Sequence, residues 1–524
     1  MTSRSSAYLH AAASGVLLAL SFPRFGHPSI AWVALVPLLV ALPRSPSLMR
    51  AFLLGLATGL VYFAGTLYWI TRVMAVYGGM PAWVAMLVNA ALIAYLALYP
   101  AIFALVVRRL FSMYGPLALL ASPLVWVATE LGRTHLFTGF PWVLLGYSQT
   151  TVLPVAQLAS VFGVYGLSAL VAGTSASIAL VVERSAASSR RLVIRRGGRL
   201  VQARPALIAI GVVLAVAAWG GARIGRGALT RAGEGVRIGI VQGNVAQEQK
   251  TNGALAPAIF QNYLRMTREA AAQGARLVVW PESSAPFMFE EDTLAADQVR
   301  ALARETGAAL LFGSDEIERG EAGDRYYNSA FLVRPDGTTG GVYRKIHLVP
   351  FGEYVPARTL FFFAAPLVET ISDFAPGTRA VLLPLGQHPI STAICYEIVY
   401  PDLVRQFVRG GSELLTTITN DAWFGPTSAP YQHFAQASMR AIEEGRYLVR
   451  SANTGISGIV DPYGRVLVQT PIFEPAVRVG EVRLLTSATV YSRIGDVFAY
   501  ASALATAVLL VASRRRVQYG HADR

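Results

Sequence analysis

Three polar residues at the ends of apolar, strand-like runs are the best candidates for chemistry in this sequence. They are Glu282, Lys345 and Cys395. In α/β folds, reacting groups converge where strands end. A carboxylate can take the proton of a thiol, the thiolate can attack a carbonyl carbon, and an ammonium group with a backbone N–H can stabilise the oxyanion. The three residue types therefore suit nucleophilic catalysis at a cysteine.

Each of the three residues also has a plainer interpretation. Cys395 is the only cysteine in the chain, so it forms no intramolecular disulfide and has no second thiol for a metal site. Its run leads into a turn and a helix expected from Pro401, a placement that lowers a thiol pKa, but a lone cysteine is also a small buried hydrophobe. Glu282 alone fits a helix cap or an ion pair, and Lys345, beside Arg344, fits a surface charge.

The composition is that of a membrane protein with more than one domain. Of the 524 residues, 54% are apolar and 15% are charged. The net charge is +14, but residues 1–222 alone carry 15 arginines and only two acidic residues. Residues 223–494 are nearly neutral. The basic excess therefore belongs to the membrane part, and no nucleic-acid partner is expected.

Eight apolar runs predict membrane-spanning helices, because about 20 apolar residues cross a bilayer. The runs are Ala7–Phe22, Ser29–Leu42, Phe52–Ile70, Pro81–Val107, Pro116–Leu131, Val155–Val182, Ala206–Ala222 and Val497–Ala512. The first follows Arg4 as a signal peptide would, but it lacks a clear cleavage site and more spans follow, so we expect it to be retained. Residues 138–146, apolar but broken by glycine and proline, fit a re-entrant or interfacial loop.

The arginines of the connecting loops predict the orientation of these spans. With eight spans, 16 arginines lie on one side, and only Arg24, Arg72 and Arg133 lie on the other. By the positive-inside rule, both termini are then cytoplasmic and residues 223–494 are not. The arginine-rich segment 183–204 fits a solvated cytoplasmic loop better than a contact with anionic lipid.

The chain thus divides into three predicted parts. A membrane region of about seven helices (1–222) precedes an extracytoplasmic catalytic domain (223–494), and a last span with a cytoplasmic tail ends the chain (495–524). In the middle part, short β-branched runs alternate with helical segments, which predicts an α/β fold. Its longest helix is expected at Tyr431–Val449.

Several motifs of the middle part resemble the nitrilase, or carbon–nitrogen hydrolase, superfamily, whose members use a Glu-Lys-Cys triad on an αββα sandwich. The matching segments are Trp280–Glu282, Tyr343–Lys345, Ile394–Glu397 and Arg440–Glu443. The whole chain more closely resembles the apolipoprotein N-acyltransferases of bacterial inner membranes. Further matching segments are Val241–Asn244, Tyr327–Ser329, Lys345–Pro356 and Asn420–Gly425.

This resemblance implies a two-step acyl transfer. Cys395 would take a fatty acyl group from a membrane phospholipid, which leaves a lysophospholipid and a thioester. The α-amine of an apolipoprotein's N-terminal diacylglyceryl-cysteine would then attack the thioester. Glu282 would act as general base and later acid, and Lys345 as the oxyanion partner. No cofactor is implied, and we expect a monomer in the bacterial inner membrane with its catalytic domain in the periplasm.

The family pattern also implies supporting roles for Glu353, Tyr396 and Glu397. Glu353 would position the triad lysine or a substrate group, and the backbone N–H of Tyr396 is the candidate second oxyanion donor. One departure follows Lys250, where the family often has a tryptophan and this chain has Thr251. A role of that tryptophan in packing over the acyl chain is therefore not expected here.

Other features leave alternatives open. Leu360–Val368 is apolar and fits either a mobile lid that touches lipid or a part of the domain core. Asn420 and Asp421 fit either a substrate contact or a turn. His347 and His433 have no neighbours at metal-ligand spacing, so we expect no metal.

Two other functions compete with the acyltransferase. A membrane-tethered nitrilase-type amidohydrolase, in which water resolves the thioester, would share every catalytic residue but has no need of eight spans. The other is a transporter or receptor with a non-catalytic outer domain. Acidic residues inside the membrane would favour it, and the spans offer only Glu130, near a span end.

Overall fold

The chain folds into two compact units. The computed structural model describes residues 4–190, 198–250, 252–321, 323–350, 352–354 and 374–522. One unit comprises the chain up to Ala75, Met80–Arg226 and the chain from Ile494, and the other comprises Val76–Gly79 and Gly227–Arg493. The first is helical and the second is an α/β sandwich. The predicted domain boundaries stay predictions, and Thr251 and Leu360–Val368 lie outside the described residues.

All eight apolar runs fall on helices of the first unit. Its helices are Arg4–Ala19, Pro28–Ala34, Val36–Ala41, Leu48–Leu67, Trp69–Val76, Ala82–Tyr114, Ser122–His135, Leu153–Ala156, Ala159–Arg190, Gly198–Arg226 and Val497–Ala522. Among the described residues, four helical stretches are long and apolar enough to cross a membrane. They are Leu48–Leu67, Ala82–His135, Ala159–Ala186 and Gln202–Arg231. A helical membrane region is confirmed, while the number of crossings stays a prediction.

The glycine- and proline-broken loop 138–146 is held by two buried charged side chains. The Glu130 carboxylate accepts a hydrogen bond from the backbone N–H of Leu145 at 2.6 Å, and Arg133 donates to the carbonyl of Trp142 at 2.7 Å. Both side chains are only 3% exposed. Non-helical backbone needs such partners where water is scarce, so Glu130 has a structural role here.

Two six-stranded sheets form the second unit. The first contains, from edge to edge, β12 (Ala476–Leu484), β1 (Glu234–Gln242), β2 (Leu277–Val279), β3 (Ala309–Glu318), β4 (Arg325–Val333) and β5 (Thr339–Arg344). The second contains β11 (Val466–Gln469), β10 (Gly458–Val460), β9 (Leu448–Ala452), β8 (Leu414–Thr419), β7 (His388–Ile394) and β6 (Leu383–Leu385). Strands β1 to β3 are parallel, as are β7 to β9. Each sheet therefore gathers the carboxyl ends of three parallel strands at one edge.

Helices cover both outer faces of the paired sheets. Strand β1 contacts β9, and β4 contacts β7, so the sheets face each other. Helices Ala256–Ala272 and Thr293–Thr306 pack on the first sheet, and Pro401–Arg409 and Ala429–Glu444 pack on the second. Shorter helices in this unit are Ala228–Arg231, Gln247–Lys250 and Val490–Ile494. This arrangement confirms the αββα sandwich.

The helix predicted at Tyr431–Val449 is wrong at its C-terminal end. The helix is Ala429–Glu444, because Gly445 adopts a φ of 63° and donates its N–H to the carbonyl of Ala441. A left-handed glycine ends helices in this way. The residues that follow form β9, a strand that the apolar pattern did not separate from the helix.

An aromatic core behind β2 fixes the start of the Glu282 turn. The Trp280 ring is fully buried, stacks on Tyr263 at 5.1 Å, and donates its indole N–H to Thr267 at 2.8 Å. Its backbone N–H bonds to the carbonyl of Leu311 on β3 at 2.8 Å. The residue that precedes Pro281 and Glu282 is therefore anchored through both its side chain and its backbone.

A methyl group at Gly313 would disturb this turn. A Cβ atom there would lie 2.5 Å from the backbone nitrogen of Ser283 and 2.7 Å from the Cα of Glu282. Both are backbone atoms, so we expect Gly313→Ala to lower the free energy of unfolding by about 1–3 kcal/mol, the usual cost of overpacking. Thermal unfolding of the full-length protein in detergent measures this. The matched control is Gly341→Ala on β5, where the new Cβ meets side-chain atoms at 3.1 Å or more. Equal losses in both variants would contradict the prediction.

Candidate active site

Lys345 lies between two carboxylates at the end of β5. Its ammonium group is 2.8 Å from Oε1 of Glu353 and 3.3 Å from Oε1 of Glu282, and its side chain is 1% exposed. Burial lowers the pKa of Lys345, but the two carboxylates outweigh burial, so the pKa is raised and the group stays charged. The sandwich therefore brings the predicted lysine and the predicted base together.

Asn328 holds the two carboxylates in place. Its amide nitrogen donates to Oε1 of Glu282 at 2.8 Å and to Oε1 of Glu353 at 2.9 Å. The backbone carbonyl of Asn328 accepts the backbone N–H of Lys345 at 2.9 Å. One residue of β4 thus positions all three charged groups. Asn328 belongs to the family-like segment Tyr327–Ser329, but its sequence context alone did not predict this role.

The remaining carboxylate oxygens are held by backbone N–H groups. Oε2 of Glu282 accepts from Asn420 at 2.8 Å, and Oε2 of Glu353 accepts from Val349 at 2.8 Å. Asn420 follows β8, and its contribution comes from the main chain. A backbone donor leaves no trace in residue type, so this contribution of Asn420 was not predictable from the sequence.

Glu397 joins the lysine loop to the cysteine turn. Its Oε1 accepts from the Tyr343 hydroxyl at 2.8 Å, from Ile346 N–H at 2.7 Å and from His347 N–H at 3.1 Å. Its Oε2 accepts from Ile394 N–H, immediately before the cysteine, at 2.7 Å. Burial raises the pKa of Glu397 to about 7, against the effect of these donors. Four donors on one fully buried carboxylate make Glu397 a positioning residue.

Cys395 occupies the turn after β7 in a left-handed conformation. Its φ is 53°, which non-glycine residues seldom adopt, and its side chain is partly buried. Its carbonyl lies 3.2 Å from Nε2 of His433, an imidazole with no exposed surface. Behind that ring, Asp421 pairs with Arg450 at 2.8 Å. The buried side chains of His433, Asp421 and Arg450 therefore support the turn that carries Cys395.

The electrostatics keep the thiol protonated at rest. Burial and the Glu282 carboxylate raise the pKa of Cys395, while Lys345 and a hydrogen bond with Thr419 lower it. The net direction is upward. A thiolate therefore forms only when a base takes the proton during the reaction, and Glu282 is the carboxylate that interacts with the thiol most strongly.

Tyr396, the last of the predicted site residues, also lies beside Cys395. Tyr396 follows the cysteine in a 3₁₀ turn, is 8% exposed, and packs edge-on against Tyr400 at 5.2 Å. The role predicted for its N–H stays a prediction. Among the described residues, no group of three or more potential ligands has the arrangement of a metal site.

Two further charged residues near Glu282 were not predicted. Lys250 donates to the carbonyls of Glu282 at 3.2 Å and of Ser283 at 3.1 Å. Asp315, on β3, interacts electrostatically with Glu282 and Lys250. In the sequence, Lys250 was notable only as the residue before Thr251. Asp315 belongs to none of the recognised motifs.

Two protein families match separate parts of the chain. Residues 14–177 match the family described as the apolipoprotein N-acyltransferase N-terminal domain, and residues 237–490 match the carbon–nitrogen hydrolase family. A protein of Geobacter metallireducens named apolipoprotein N-acyltransferase is 42% identical over 515 residues, which cover 98% of this chain and 96% of the relative. A protein of the same name from Methylococcus capsulatus is 36% identical over 526 residues, covering 99% and 98%.

The chain belongs to the apolipoprotein N-acyltransferase family. Membership in the apolipoprotein N-acyltransferase family confirms the resemblance drawn from the motifs and the expectation of an acyltransferase. Among solved structures, an amidase of the nitrilase superfamily from Nesterenkonia AN1 is 22% identical, with a TM-score of 0.37. That similarity covers 48% of this chain and 92% of the amidase.

The positioning role of Glu397 can be tested by comparing a change to its carboxylate with the loss of one of its four donors. In Glu397→Gln, one carboxylate oxygen becomes an N–H₂ group that cannot accept, so at least one buried donor loses its partner at a cost of about 1–3 kcal/mol. We expect a lower melting temperature and a slower reaction of the Cys395 thiol with iodoacetamide or with acyl donors. Tyr343→Phe is the graded control, because it removes one donor and leaves the three backbone bonds. A Tyr343→Phe defect as large as that of Glu397→Gln would contradict the positioning role.

Proposed function

We propose that this protein transfers a fatty acyl group from a membrane phospholipid to the N-terminal amine of the S-diacylglyceryl-cysteine of apolipoproteins. The transfer passes through a thioester on Cys395. The observation that carries the proposal is the group of buried Glu282 and Lys345 with the partly buried Cys395, in a chain that matches named N-acyltransferases over almost its full length. A chain with four long apolar helices is held at a bilayer, where phospholipid is the abundant ester.

The first half-reaction forms the thioester. Glu282 takes the proton of the Cys395 thiol, and the sulfur attacks the ester carbonyl of the phospholipid. The oxyanion is stabilised by the Lys345 ammonium and, in our proposal, by the backbone N–H of Tyr396. Collapse of this intermediate breaks the ester bond, and the departing lysophospholipid oxygen receives the proton from Glu282.

The second half-reaction forms the amide. The uncharged amine of the acceptor attacks the thioester carbonyl, and Glu282 takes a proton from the amine nitrogen. The C–S bond then breaks, and the Cys395 sulfur receives that proton. Glu353 and Glu397 act on this cycle indirectly, by holding Lys345 and the turns on which the triad lies.

The arrangement in the cell belongs to the same proposal. Residues 1–222 and 495–524 form the membrane part of a bacterial inner-membrane protein, with both termini in the cytoplasm. Residues 223–494 form a periplasmic catalytic domain. The arginine asymmetry of the loops supports this orientation. The protein acts as a monomer, and the triad needs no cofactor.

Mass spectrometry of the intact protein tests the acyl-enzyme. Purified full-length protein, incubated with phospholipid vesicles of defined acyl chain, should gain one fatty acyl group that hydroxylamine removes. Cys395→Ser should not gain a hydroxylamine-labile group. Glu282→Gln should gain this group at least about 100-fold more slowly than wild type, as expected for loss of a general base. A wild-type protein that stays unmodified would overturn the proposal.

The same preparation separates the transferase from a hydrolase. On addition of a synthetic peptide with an N-terminal S-diacylglyceryl-cysteine, the acyl group should appear on the peptide as an amide. Release of free fatty acid with the peptide unmodified would favour the amidohydrolase instead. Peptide with a blocked N-terminus is the control, and it should remain unacylated while the thioester persists.

A further inference from the structure

Asp315 projects into the active site from the strand beside Asn328. In the antiparallel pair of β3 and β4, Asp315 lies directly opposite Asn328. Directly opposed residues of neighbouring strands project to the same face of a sheet. Because the Asn328 side chain reaches Glu282 and Glu353, this face is the one that carries the catalytic groups.

Both residues present a buried acceptor atom without a donor. The amide nitrogen of Asn328 is used by two carboxylates, which turns its Oδ1 away from them. This Oδ1 and the Oδ1 of Asp315 are buried and accept no hydrogen bond from any residue that the structure describes. Buried acceptors rarely go without donors, so a ligand with several N–H groups suits this position.

The charge balance of this corner favours a cation. The carboxylates of Glu282, Glu353 and Asp315 face the ammonium groups of Lys345 and Lys250, and a thiol or thioester adds no charge. Burial, Glu282 and Glu353 raise the pKa of Asp315 to about 6, which leaves it ionised at neutral pH. Among Asp315, Glu282, Glu353, Lys250 and Lys345, the carboxylates exceed the ammonium groups by one, before the nearby Glu397 is counted. An incoming ammonium ion would reduce this excess of negative charge in a poorly solvated site.

Lys250 does not fill this place. Its ammonium group donates to the backbone carbonyls of Glu282 and Ser283, at 3.2 and 3.1 Å. No ion pair joins it to Asp315 among the described residues. Lys250 therefore steadies the Glu282 turn, while the Asp315 carboxylate keeps an oxygen for another donor.

We propose that Asp315, together with Oδ1 of Asn328, binds the α-ammonium group of the acyl acceptor and takes its first proton. This inference rests on the proposed function. The N–H bond of the ammonium breaks, its proton passes to the Asp315 carboxylate, and the nitrogen keeps the electron pair with which it attacks the thioester. Glu282 then accepts the second proton, as described above. Asp315 returns its proton to water before the next acceptor binds.

The two half-reactions provide the test, because only the second involves the acceptor. Full-length wild type and Asp315→Asn are loaded with acyl group from phospholipid vesicles, and the thioester is then discharged by the diacylglyceryl-cysteine peptide. We expect Asp315→Asn to load at the wild-type rate and to discharge to the peptide about 10- to 100-fold more slowly, as for loss of a charged hydrogen bond. Discharge to methoxyamine, which is uncharged at neutral pH, should be unchanged. Glu318→Gln removes a carboxylate from the exposed end of the same strand and is the matched control.

Each outcome has a distinct meaning. Equal slowing with the peptide and with methoxyamine, or slower loading in Asp315→Asn, would overturn the ammonium site and leave a general structural role. Unchanged discharge to the peptide would overturn it as well. If Asp315→Asn does not fold, Asp315→Ser, which removes the charge with a smaller side chain, takes its place. A wild type that never loads overturns the proposed function itself, whereas normal loading with a failed peptide-specific effect overturns only the ammonium site.

Discussion

The active site depends on one carboxylate that joins the two sheets. Tyr343 and the loop behind Lys345 belong to the first sheet, whereas Ile394 ends β7 in the second, and Glu397 bonds to both. Lys345 and Cys395 are thus on different layers of the sandwich, and apolar packing between layers does not fix positions to within a hydrogen-bond length. Directed bonds to one buried anion do. The donors offset part of the cost of burying this carboxylate, and burial still raises the pKa of Glu397 to about 7.

The charged groups beside Glu397 are also held by hydrogen bonds and ion pairs. Lys345 would be costly to bury alone, but two carboxylates accept from it, and Asn328 and the Asn420 N–H hold those carboxylates in turn. The result is a resting site in which the lysine is charged and the thiol of Cys395 is neutral. A neutral thiol is a poor nucleophile, so the acyl transfer proposed for Cys395 has to begin with removal of the thiol proton, which is the role proposed for Glu282.

Glu282, Lys345 and Cys395 could be selected from the sequence because polar side chains at strand ends interrupt apolar runs. The family resemblance implied their roles as a triad, and those roles stay predictions. The apolar runs of the membrane part were predictable for a similar reason, since the longer ones, such as Val155–Val182, exceed the length that crosses a bilayer. Asn328 and Asp315 were not predictable. Their placement follows from the register of β3 against β4, and a shift of one residue would turn both to the other face. The contribution of Asn420 is a backbone N–H, and the end of the helix at Glu444 depends on the conformation of Gly445.

Backbone conformation decides how the side chains of the candidate site are placed. Cys395 has a φ of 53°, and Ser283, next to Glu282, has a φ of 45°. Such conformations cost free energy and persist only where the surroundings enforce them. Such anchors are present in both cases: His433 bonds to the Cys395 carbonyl, and Lys250 bonds to the carbonyls of Glu282 and Ser283. Because these anchors act on the main chain, they set where the thiol and the carboxylate point without occupying the space in which an acyl group is exchanged. A positively charged acceptor entering beside Asp315 would therefore meet a base and a thioester that are already in position.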